Sequence, residues 1–305
     1  MTPEKRRQSK SYQVCSPAKI NLFLEITGRR ADGFHDLETV MVRTDLYDTL
    51  SFEGRNDECI KMSLVGTRNL GETDSSPARS GGPGFPLDHT NLIVRAAEAL
   101  RKHTGISRGV SIRVHKRIPC QAGLAGGSGN AATTLRVLNR LWNLDLPLSV
   151  LHGIAASLGS DVNFLLSGCR GAVCRGRGER ISPIRLTTRQ NGLLIVPESG
   201  NSTAEVFRSV EVSQDFHSAA GLVNLLGTGD SRSVAPQCFN RLQPTAVTLN
   251  HDIRRTLQWL LTHAGNALMT GSGSGCFALL RSAREARRLS RQFGDCAGLV
   301  TSFQF

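Results

Sequence analysis

The stretch "PCQAGLAGGSGNAATTL", residues 119–135, joins a glycine-rich loop to the start of a helix. Glycine or alanine fills six of the eight positions in 122–129, and helical spacing of apolar residues begins at Ala131. Main-chain amides without bulky side chains can approach an anion closely, and a helix N-terminus carries about half a positive charge. The stretch therefore predicts a phosphate-binding loop ahead of a helix.

Two familiar phosphate-binding motifs do not fit this loop. A Walker A motif ends in a lysine beside a serine or threonine, and the stretch contains no lysine. The string from Gly127 to Ala132 matches a dinucleotide-binding fingerprint, but Pro119 interrupts the approach to it. No apolar strand ending in an acidic residue follows the helix, as that fingerprint requires. The purely structural alternative is a flexible loop with Ser128 capping the helix.

An alternating segment near the start of the chain predicts a β-strand over 13–27. Ile20 and Leu22 belong to its apolar side, whereas Lys19 and Asn21 belong to the opposite side. Residues two apart on a strand share a face and lie about 7 Å apart. We therefore expect Lys19 and Asn21 to project together.

Two helices are predicted from their end signals. The first begins near Thr90 or Asn91 and ends at Gly105. The second has Pro147 near its first turn and Gly159 after its end. A cap residue, an early proline and a terminal glycine are typical of helix boundaries.

Composition limits the class of protein. The chain has 305 residues, of which 39% are hydrophobic and 20% charged, and no apolar run reaches the ~18 residues of a membrane span. Residues 1–10 are basic and polar without a following apolar segment, which predicts a flexible tail rather than a secretory signal. The eight cysteines form no C-x-x-C pair. We therefore expect reduced thiols, a cytoplasmic location and no cysteine metal site.

The net charge of +12, from 37 Lys and Arg against 25 Asp and Glu, favours acidic partners, either nucleic acid or a phosphorylated small molecule. The densest basic run lies at 281–291. Ala283, Ala286 and Leu289 give this run one apolar side, so we predict a solvated surface helix. No RNA- or DNA-binding motif accompanies it, and neither nucleic acid nor membrane is expected as a partner.

The segment 119–132 resembles the central motif of the GHMP small-molecule kinases. Further segments resemble that family's motifs in the same order: "SPAKINLFLEITGRRADGFHDLETV" at 16–40, "LGSDVNFLL" at 158–166, "GRGERISPI" at 176–184, "NSTAEVF" at 201–207 and "TGSGSGCFALL" at 270–280. The first of these, with its lysine and its GFH turn, resembles the members that act on 4-diphosphocytidyl-2-C-methyl-D-erythritol. The resemblance covers nearly the whole chain outside residues 1–10 and 66–88.

The resemblance implies an α+β fold of two domains. Residues 11–188 would form an N-terminal domain similar to the ribosomal protein S5 domain 2-like fold. Residues 189–305 would form a ferredoxin-like α/β sandwich. The Gly-, Ser- and Pro-rich residues 66–88 are expected to be a surface insertion without catalytic importance. The active site would lie in the cleft between the domains.

The same resemblance assigns the reacting groups. Asp161 would accept the proton of the acceptor hydroxyl, and Lys19 would stabilise the developing alkoxide. Asn21 would orient Lys19 or the substrate. ATP would be bound by the loop 119–129, which consists of Pro119, Cys120, Gln121, Ala122, Gly123, Leu124, Ala125, Gly126, Gly127, Ser128 and Gly129.

The acceptor's cytidine needs a stacking surface and a hydrogen-bonding edge. Phe34 and His35 bring both kinds of group to the tip of a turn, and Phe207 matches a second aromatic residue that the family uses beside the cytosine. The third glycine motif, with Gly271, Ser272 and Gly273, is expected to back the phosphate region.

Three positions depart from the family's usual pattern. Tyrosine is usual where this chain has Phe34, and two serines are common where it has Ser128 and Gly129. A segment that usually carries two acidic residues here contains Arg241 and Gln243 instead.

The resemblance implies an ATP-dependent kinase for the 2-hydroxyl of 4-diphosphocytidyl-2-C-methyl-D-erythritol, in the non-mevalonate isoprenoid route. Mg²⁺ would accompany ATP, held mainly by phosphate oxygens and water rather than by protein ligands. The enzyme is expected to be a monomer or a weak homodimer. Two alternatives stay open: another GHMP kinase with a different alcohol substrate, and a kinase-derived binding protein with weakened catalysis.

Overall fold

A computed structural model describes residues 10–65, 85–229, 233–293 and 299–305. The predicted tail, apart from Lys10, and residues 66–84 of the predicted insertion lie outside this described part of the chain. The predicted boundary near residue 188 stays a prediction.

Two β-sheets and nine α-helices make up the described ranges. The strands are β1 Ser11–Arg29, β2 His35–Arg55, β3 Ile60–Leu64, β4 Gly109–His115, β5 Gly171–Gly176, β6 Arg180–Pro183, β7 Asn191–Val196, β8 Phe239–Asn240, β9 Leu268–Met269, β10 Cys276–Leu280 and β11 Leu299–Gln304. The helices are α1 Leu92–Thr104, α2 Gly126–Leu141, α3 Leu148–Leu158, α4 Ser160–Ser167, α5 Thr203–Ser209, α6 Ala220–Thr228, α7 Gln243–Leu249, α8 His251–Ala264 and α9 Ala283–Ser290. The predicted α+β class is confirmed.

The first sheet is built on the long antiparallel hairpin of β1 and β2. β2 pairs with β5 along its first half and with β4 along its second half, and β3 and β6 extend the sheet at its edges. Helices α1 to α4 pack against this sheet. Their shared core includes Phe52, Leu100, Ile112, Leu135 and Phe164.

Helix boundaries in this layer follow local sequence signals. The side chain of Asn91 accepts a hydrogen bond from the amide of Ile93 at the start of α1, and Gly105 ends that helix with φ of 71°. α3 begins after Pro147 and ends before Gly159. Both predicted helices are therefore confirmed.

Strand β1 is buried on both of its sides. The apolar side contributes Ile20 and Leu22 to a core that also contains Leu194 and Phe277 of the second sheet. The polar side is buried as well, with Lys19 only 3% exposed. A buried polar side chain needs hydrogen-bonding partners, and the candidate site supplies them.

The second sheet has the strand order β11-β7-β10-β9, and every neighbouring pair is antiparallel. When the four strands of this sheet are numbered by their order in the chain, they lie side by side as fourth, first, third and second. α8 connects the first strand to the second, and α9 connects the third to the fourth. This is the β-α-β-β-α-β arrangement of ferredoxin-like folds, as predicted. α9 also confirms the predicted arginine-rich helix.

The two halves of the chain are joined by β8. This short strand runs parallel to β1, with Phe239 opposite Phe23 and Asn240 opposite Leu24. It therefore extends the first sheet although it follows β7 of the second sheet in the chain. The crossing brings Asn240 close to the third glycine motif.

Candidate active site

A cleft of about 510 Å³ contains most of the predicted site residues. From the glycine-rich loop it is lined by Pro119, Cys120, Gln121, Ala122, Gly123, Ala125, Gly126, Gly127 and Ser128. From elsewhere it is lined by Lys19, Asn21, Asp161, Phe207, Gly271 and Ser272. Five predicted residues are absent from its lining: Leu124, Gly129, Phe34, His35 and Gly273.

The loop takes a tightly wound path into α2. Gln121, Gly123 and Ala125 all have positive φ, of 54°, 71° and 54°. Ala125 precedes the helix and provides no side-chain cap, so Ser128 does not cap it as the structural alternative required. The first-turn amides of α2 are thus left for another acceptor. This arrangement fits the phosphate groups of a nucleotide.

Two glycines of this region are required by close packing. A Cβ on Gly123 would lie 2.1 Å from the carbonyl oxygen of Thr270, and its φ of 71° is costly for other residues. A Cβ on Gly129 would lie 2.9 Å from both the Pro17 carbonyl oxygen and Ser16 Oγ. Gly129 therefore lets α2 approach β1 closely, which explains why a second serine is not accommodated here.

Lys19 and Asp161 meet beside this loop. Lys19 Nζ lies 3.4 Å from Asp161 Oδ2, and the two side chains are 4% and 31% exposed. Asp161 belongs to the first turn of α4. Lys19 Nζ also donates to Asn21 Oδ1 at 2.7 Å and to the Gly123 carbonyl oxygen at 2.9 Å. The ammonium group is thus held against the loop with one side facing the carboxylate.

The amide of Asn21 is oriented by two threonines. Asn21 Nδ2 donates to Thr39 Oγ1 at 2.8 Å, and the backbone amide of Asn21 donates to Thr270 Oγ1 at 2.9 Å. Asn21 Oδ1 accepts from Lys19 Nζ at 2.7 Å and from Thr270 Oγ1 at 3.3 Å. Sequence reasoning missed Thr270, although it directly precedes the third glycine motif.

The third glycine motif is anchored by residues from two other segments. Asn240 Nδ2 donates to the carbonyl oxygens of Met269 and Gly271 at 2.6 and 2.8 Å. Ser272 Oγ lies 2.8 Å from Thr203 Oγ1, which lines the cleft as well. Gly273 is packed so closely that a Cβ would lie 2.8 Å from the Met269 sulfur.

Aromatic residues lie in and beside the cleft. The rings of His35 and Phe207 have centroids 5.7 Å apart. Burial, assisted by the charge of Arg29, lowers the pKa of His35 and so favours its neutral imidazole. Phe34 is 54% exposed. Its ring lies under the guanidinium of Arg177, 4.5 Å from centroid to Cζ.

Lys116 connects the cleft to a buried carboxylate. Its Nζ lies 2.8 Å from Asp48 Oδ2 and 6.0 Å from the ring centroid of Phe85. Asp48 is fully buried and also accepts from the backbone amide of Ile118 and from Asn130 Nδ2, at 2.8 and 3.0 Å. Asp48 thus ties the segment entering the loop to α2. Sequence reasoning missed this pair because its partners are 68 residues apart.

The end of the predicted insertion reaches the cleft. Phe85 and Pro86 line it, although the segment 66–88 was expected to have no catalytic importance. Whether residues 66–84 contribute lies outside the described residues.

Arg241, which stands where the family usually has an acidic residue, pairs with a buried carboxylate. Arg241 Nε and Nη2 lie 2.7 Å from the two carboxylate oxygens of Glu25, which is fully buried. Burial alone would raise the pKa of Glu25, but hydrogen bonds from Arg241 and from two backbone amides outweigh it and lower the pKa. Gln243 Oε1 accepts from the Met269 amide at 2.8 Å. Arg241 therefore connects the C-terminal half of the chain to β1, whereas Gln243 stabilises contacts within the C-terminal half.

We expect Arg241→Met to lower the free energy of unfolding by about 3 kcal/mol, because it leaves the Glu25 carboxylate buried without its cation. The folded-state pKa of Glu25 lies below its usual 4.5. The pair's contribution is therefore fully present above about pH 4.5 and is lost as the pH falls through the lowered pKa. Urea unfolding as a function of pH measures both effects. The exposed Arg208→Met is the control, and equal stability of the two variants at pH 7 would contradict the prediction.

The charge balance of the cleft favours an anionic ligand. Within the described residues, its charged lining consists of Lys19, Lys116 and Arg177 against Asp161. No group of three or more His, Cys, Asp or Glu in those residues could hold a metal ion. No helix in the described part is long and apolar enough to cross a membrane.

Comparison with known proteins agrees with this geometry. The model of the GHMP kinases N terminal domain matches residues 91–169, and that of the GHMP kinases C terminal domain matches residues 218–297. The protein named 4-diphosphocytidyl-2-C-methyl-D-erythritol kinase from Polaromonas sp. strain JS666 is 42% identical over 88% of this chain and 83% of its own length. The chain belongs to the 4-diphosphocytidyl-2-C-methyl-D-erythritol kinase family of GHMP kinases. The relative of the same name from Delftia acidovorans is 40% identical over 88% of this chain and 86% of its own length.

Solved structures place this family member among the GHMP kinase folds. A crystal structure of 4-(cytidine 5'-diphospho)-2C-methyl-D-erythritol kinase has a TM-score of 0.75 at 30% identity, covering 96% of this chain and 98% of its own. The mevalonate kinase of L. major in complex with R-mevalonate has a TM-score of 0.72 at 14% identity, covering 99% and 98%. At that lower identity the likeness concerns the fold alone. The GHMP kinase fold predicted from the sequence is thus confirmed.

Proposed function

We propose that this protein transfers the terminal phosphoryl group of ATP to the 2-hydroxyl of 4-diphosphocytidyl-2-C-methyl-D-erythritol, in the non-mevalonate isoprenoid route. The observation that carries the proposal is the contact of Lys19 Nζ with Asp161 Oδ2, at 3.4 Å, beside the uncapped start of α2. Phosphoryl transfer depends mainly on positioning and on electrostatic stabilisation, and these two groups supply both.

The proposed chemistry uses a small number of groups. The carboxylate of Asp161 accepts the hydroxyl proton as the acceptor oxygen bonds to the γ-phosphorus, while the bond to the β-phosphate oxygen breaks and ADP leaves. Lys19 stabilises the negative charge that develops on the reacting oxygens. The amides of Gly126, Gly127 and Ser128 hold the phosphate tail. Bound Mg²⁺ supplies neutralisation of the phosphate charge.

The cytidine end of the acceptor would lie against the aromatic residues. The neutral imidazole of His35 has one donor and one acceptor nitrogen, which suits the hydrogen-bonding edge of cytosine. The centroid of the Phe207 ring lies 5.7 Å from that of His35, and Phe207 offers a face for stacking.

The seven described cysteines are free thiols, which supports a reducing, cytoplasmic location.

The direct test is a coupled assay of ADP release. We expect turnover with the cytidyl substrate and none with R-mevalonate or homoserine. Turnover with one of the latter substrates only would favour another GHMP kinase activity. Absence of turnover with all three, together with retained ATP binding, would favour the binding-protein alternative.

Phe207→Ala should raise the KM for the cytidyl acceptor roughly 5- to 150-fold, because base–aromatic stacking contributes about 1–3 kcal/mol. The KM for ATP should change less than twofold, since the substitution leaves the glycine-rich loop and the start of α2 untouched. Steady-state kinetics with each substrate varied in turn measure the two constants. The exposed Phe216→Ala is the matched control, and equal rises in both KM values would argue against stacking.

A further inference from the structure

Arg177 lines the cleft, and the proposed chemistry does not use it. It belongs to the turn between β5 and β6, where its backbone amide donates to Glu179 Oε2 at 2.7 Å. The next residue, Gly178, faces Ser160 Cβ and Met41, which both line the cleft. The turn therefore runs beside the start of α4, which carries Asp161.

The other neighbour of Arg177 is the turn that carries Phe34 and His35. The Arg177 guanidinium lies 4.5 Å from the Phe34 ring centroid. Its side chain lines the cleft and is half-buried. Arg177 thus neighbours both the start of α4, which carries Asp161, and the turn that carries Phe34 and His35.

Within the described residues the Arg177 guanidinium forms no ion pair, although Asp32 interacts with it electrostatically at longer range. None of the carboxylates in the described ranges lies within ion-pair distance of Arg177. The nearby Asp32 is bound by Arg30 at 3.2 Å. A half-buried cation held on an aromatic face and lacking a carboxylate partner is suited to an anionic ligand.

On the basis of the proposed function, we infer that Arg177 binds the diphosphate of the cytidyl acceptor and that Phe34 holds the guanidinium in place. In that acceptor a diphosphate separates the cytidine from the methylerythritol. The cytidine goes to His35 and Phe207, and the methylerythritol goes to Asp161. The diphosphate must therefore pass the position that Arg177 occupies, where it meets the planar donor group that binds phosphate best.

This inference gives the phenylalanine at position 34 a physical role. A ring face stabilises a guanidinium through its π-electrons and needs no hydroxyl group. Phe34 thus acts through Arg177 as a positioning residue.

The test compares the binding of CDP and of cytidine to the full-length protein by calorimetry. For Arg177→Gln we expect CDP affinity to fall roughly 10- to 100-fold, the range of a charge-assisted hydrogen bond. Cytidine affinity and the KM for ATP should stay within twofold. Arg177→Lys should restore part of the loss, because it retains the charge but not the planar fork.

Arg180→Gln, on the exposed edge strand β6, is the matched control and should leave both affinities unchanged. Phe34→Leu should weaken CDP binding roughly two- to fivefold in the presence of Arg177 and not in the Arg177→Gln background. CDP affinity unchanged by Arg177→Gln, or equal losses for CDP and cytidine, would overturn the inference.

This outcome is separable from failure of the proposed function. If the wild-type protein releases no ADP with the cytidyl substrate, the kinase proposal fails. If it does release ADP and Arg177→Gln keeps its preference for CDP over cytidine, the inference about Arg177 fails alone.

Discussion

Asp161→Asn should lower kcat by roughly 10²–10⁴-fold, the usual contribution of a general base. The substitution keeps the size of the side chain but removes the carboxylate that would accept the hydroxyl proton. The KM for ATP should change little, because the glycine-rich loop and the start of α2 are untouched. The coupled ADP-release assay, run at saturating substrate, measures the effect.

Asp145→Asn is a suitable control for that experiment. Asp145 is exposed and has a φ of 49°, a conformation that asparagine adopts readily. It should retain normal turnover. Near-normal turnover of Asp161→Asn would remove the carboxylate from its proposed role and, with it, the main support for a general base.

Lys19→Met should lower kcat by roughly 10²–10³-fold, as expected for loss of one group that stabilises transition-state charge. Methionine fills a similar volume but cannot donate to Asn21 or to the Gly123 carbonyl oxygen, which lie 2.7 and 2.9 Å from Nζ. The loop also loses one of its anchors, so we expect a smaller rise in the KM for ATP. Single-turnover kinetics separate the chemical step from binding.

Lys19→Arg should not restore activity, because the 3%-exposed site fits a compact ammonium rather than a guanidinium fork. Lys61→Met, at an exposed position of strand β3, is the matched control. Full activity of Lys19→Arg would show that charge alone suffices, and normal kcat in Lys19→Met would exclude a catalytic role for this residue.

Local sequence signals predicted a large part of the architecture. Asn91 and Gly105 marked the ends of α1 because capping and left-handed turns depend on neighbouring residues only. The alternation in β1 correctly grouped Lys19 with Asn21. The glycine-rich loop was recognisable because glycine and alanine are concentrated directly ahead of a helical pattern.

Pairing between distant segments was not predictable in the same way. β8 has two residues, too few to show a strand pattern, and its parallel partner is more than 200 positions earlier. Glu25 and Arg241 are 216 residues apart. The sequence indicated that Arg241 departs from an acidic pattern but contained no signal for the buried carboxylate that it would meet.

The candidate site was likewise predictable in its separate parts but not in their assembly. Residue types and their spacing on single elements identified the phosphate loop, the lysine strand and the aspartate at the start of a helix. Their assembly depended on tertiary packing: Thr270 fixes the Asn21 amide, Asp48 ties the loop entrance to α2, and Phe34 lies against Arg177 instead of lining the cleft.

The sequence by itself determined which segments form the phosphate loop, its helix and the polar side of β1, because these features depend on backbone freedom and periodicity within about 20 neighbouring residues. Only the tertiary structure decided that this polar side is buried, that an ammonium and a carboxylate from segments 142 positions apart meet at 3.4 Å, and that Arg177 lies against the Phe34 ring. Those outcomes depend on how two sheets pack together, and burial then makes each polar contact a requirement of the fold.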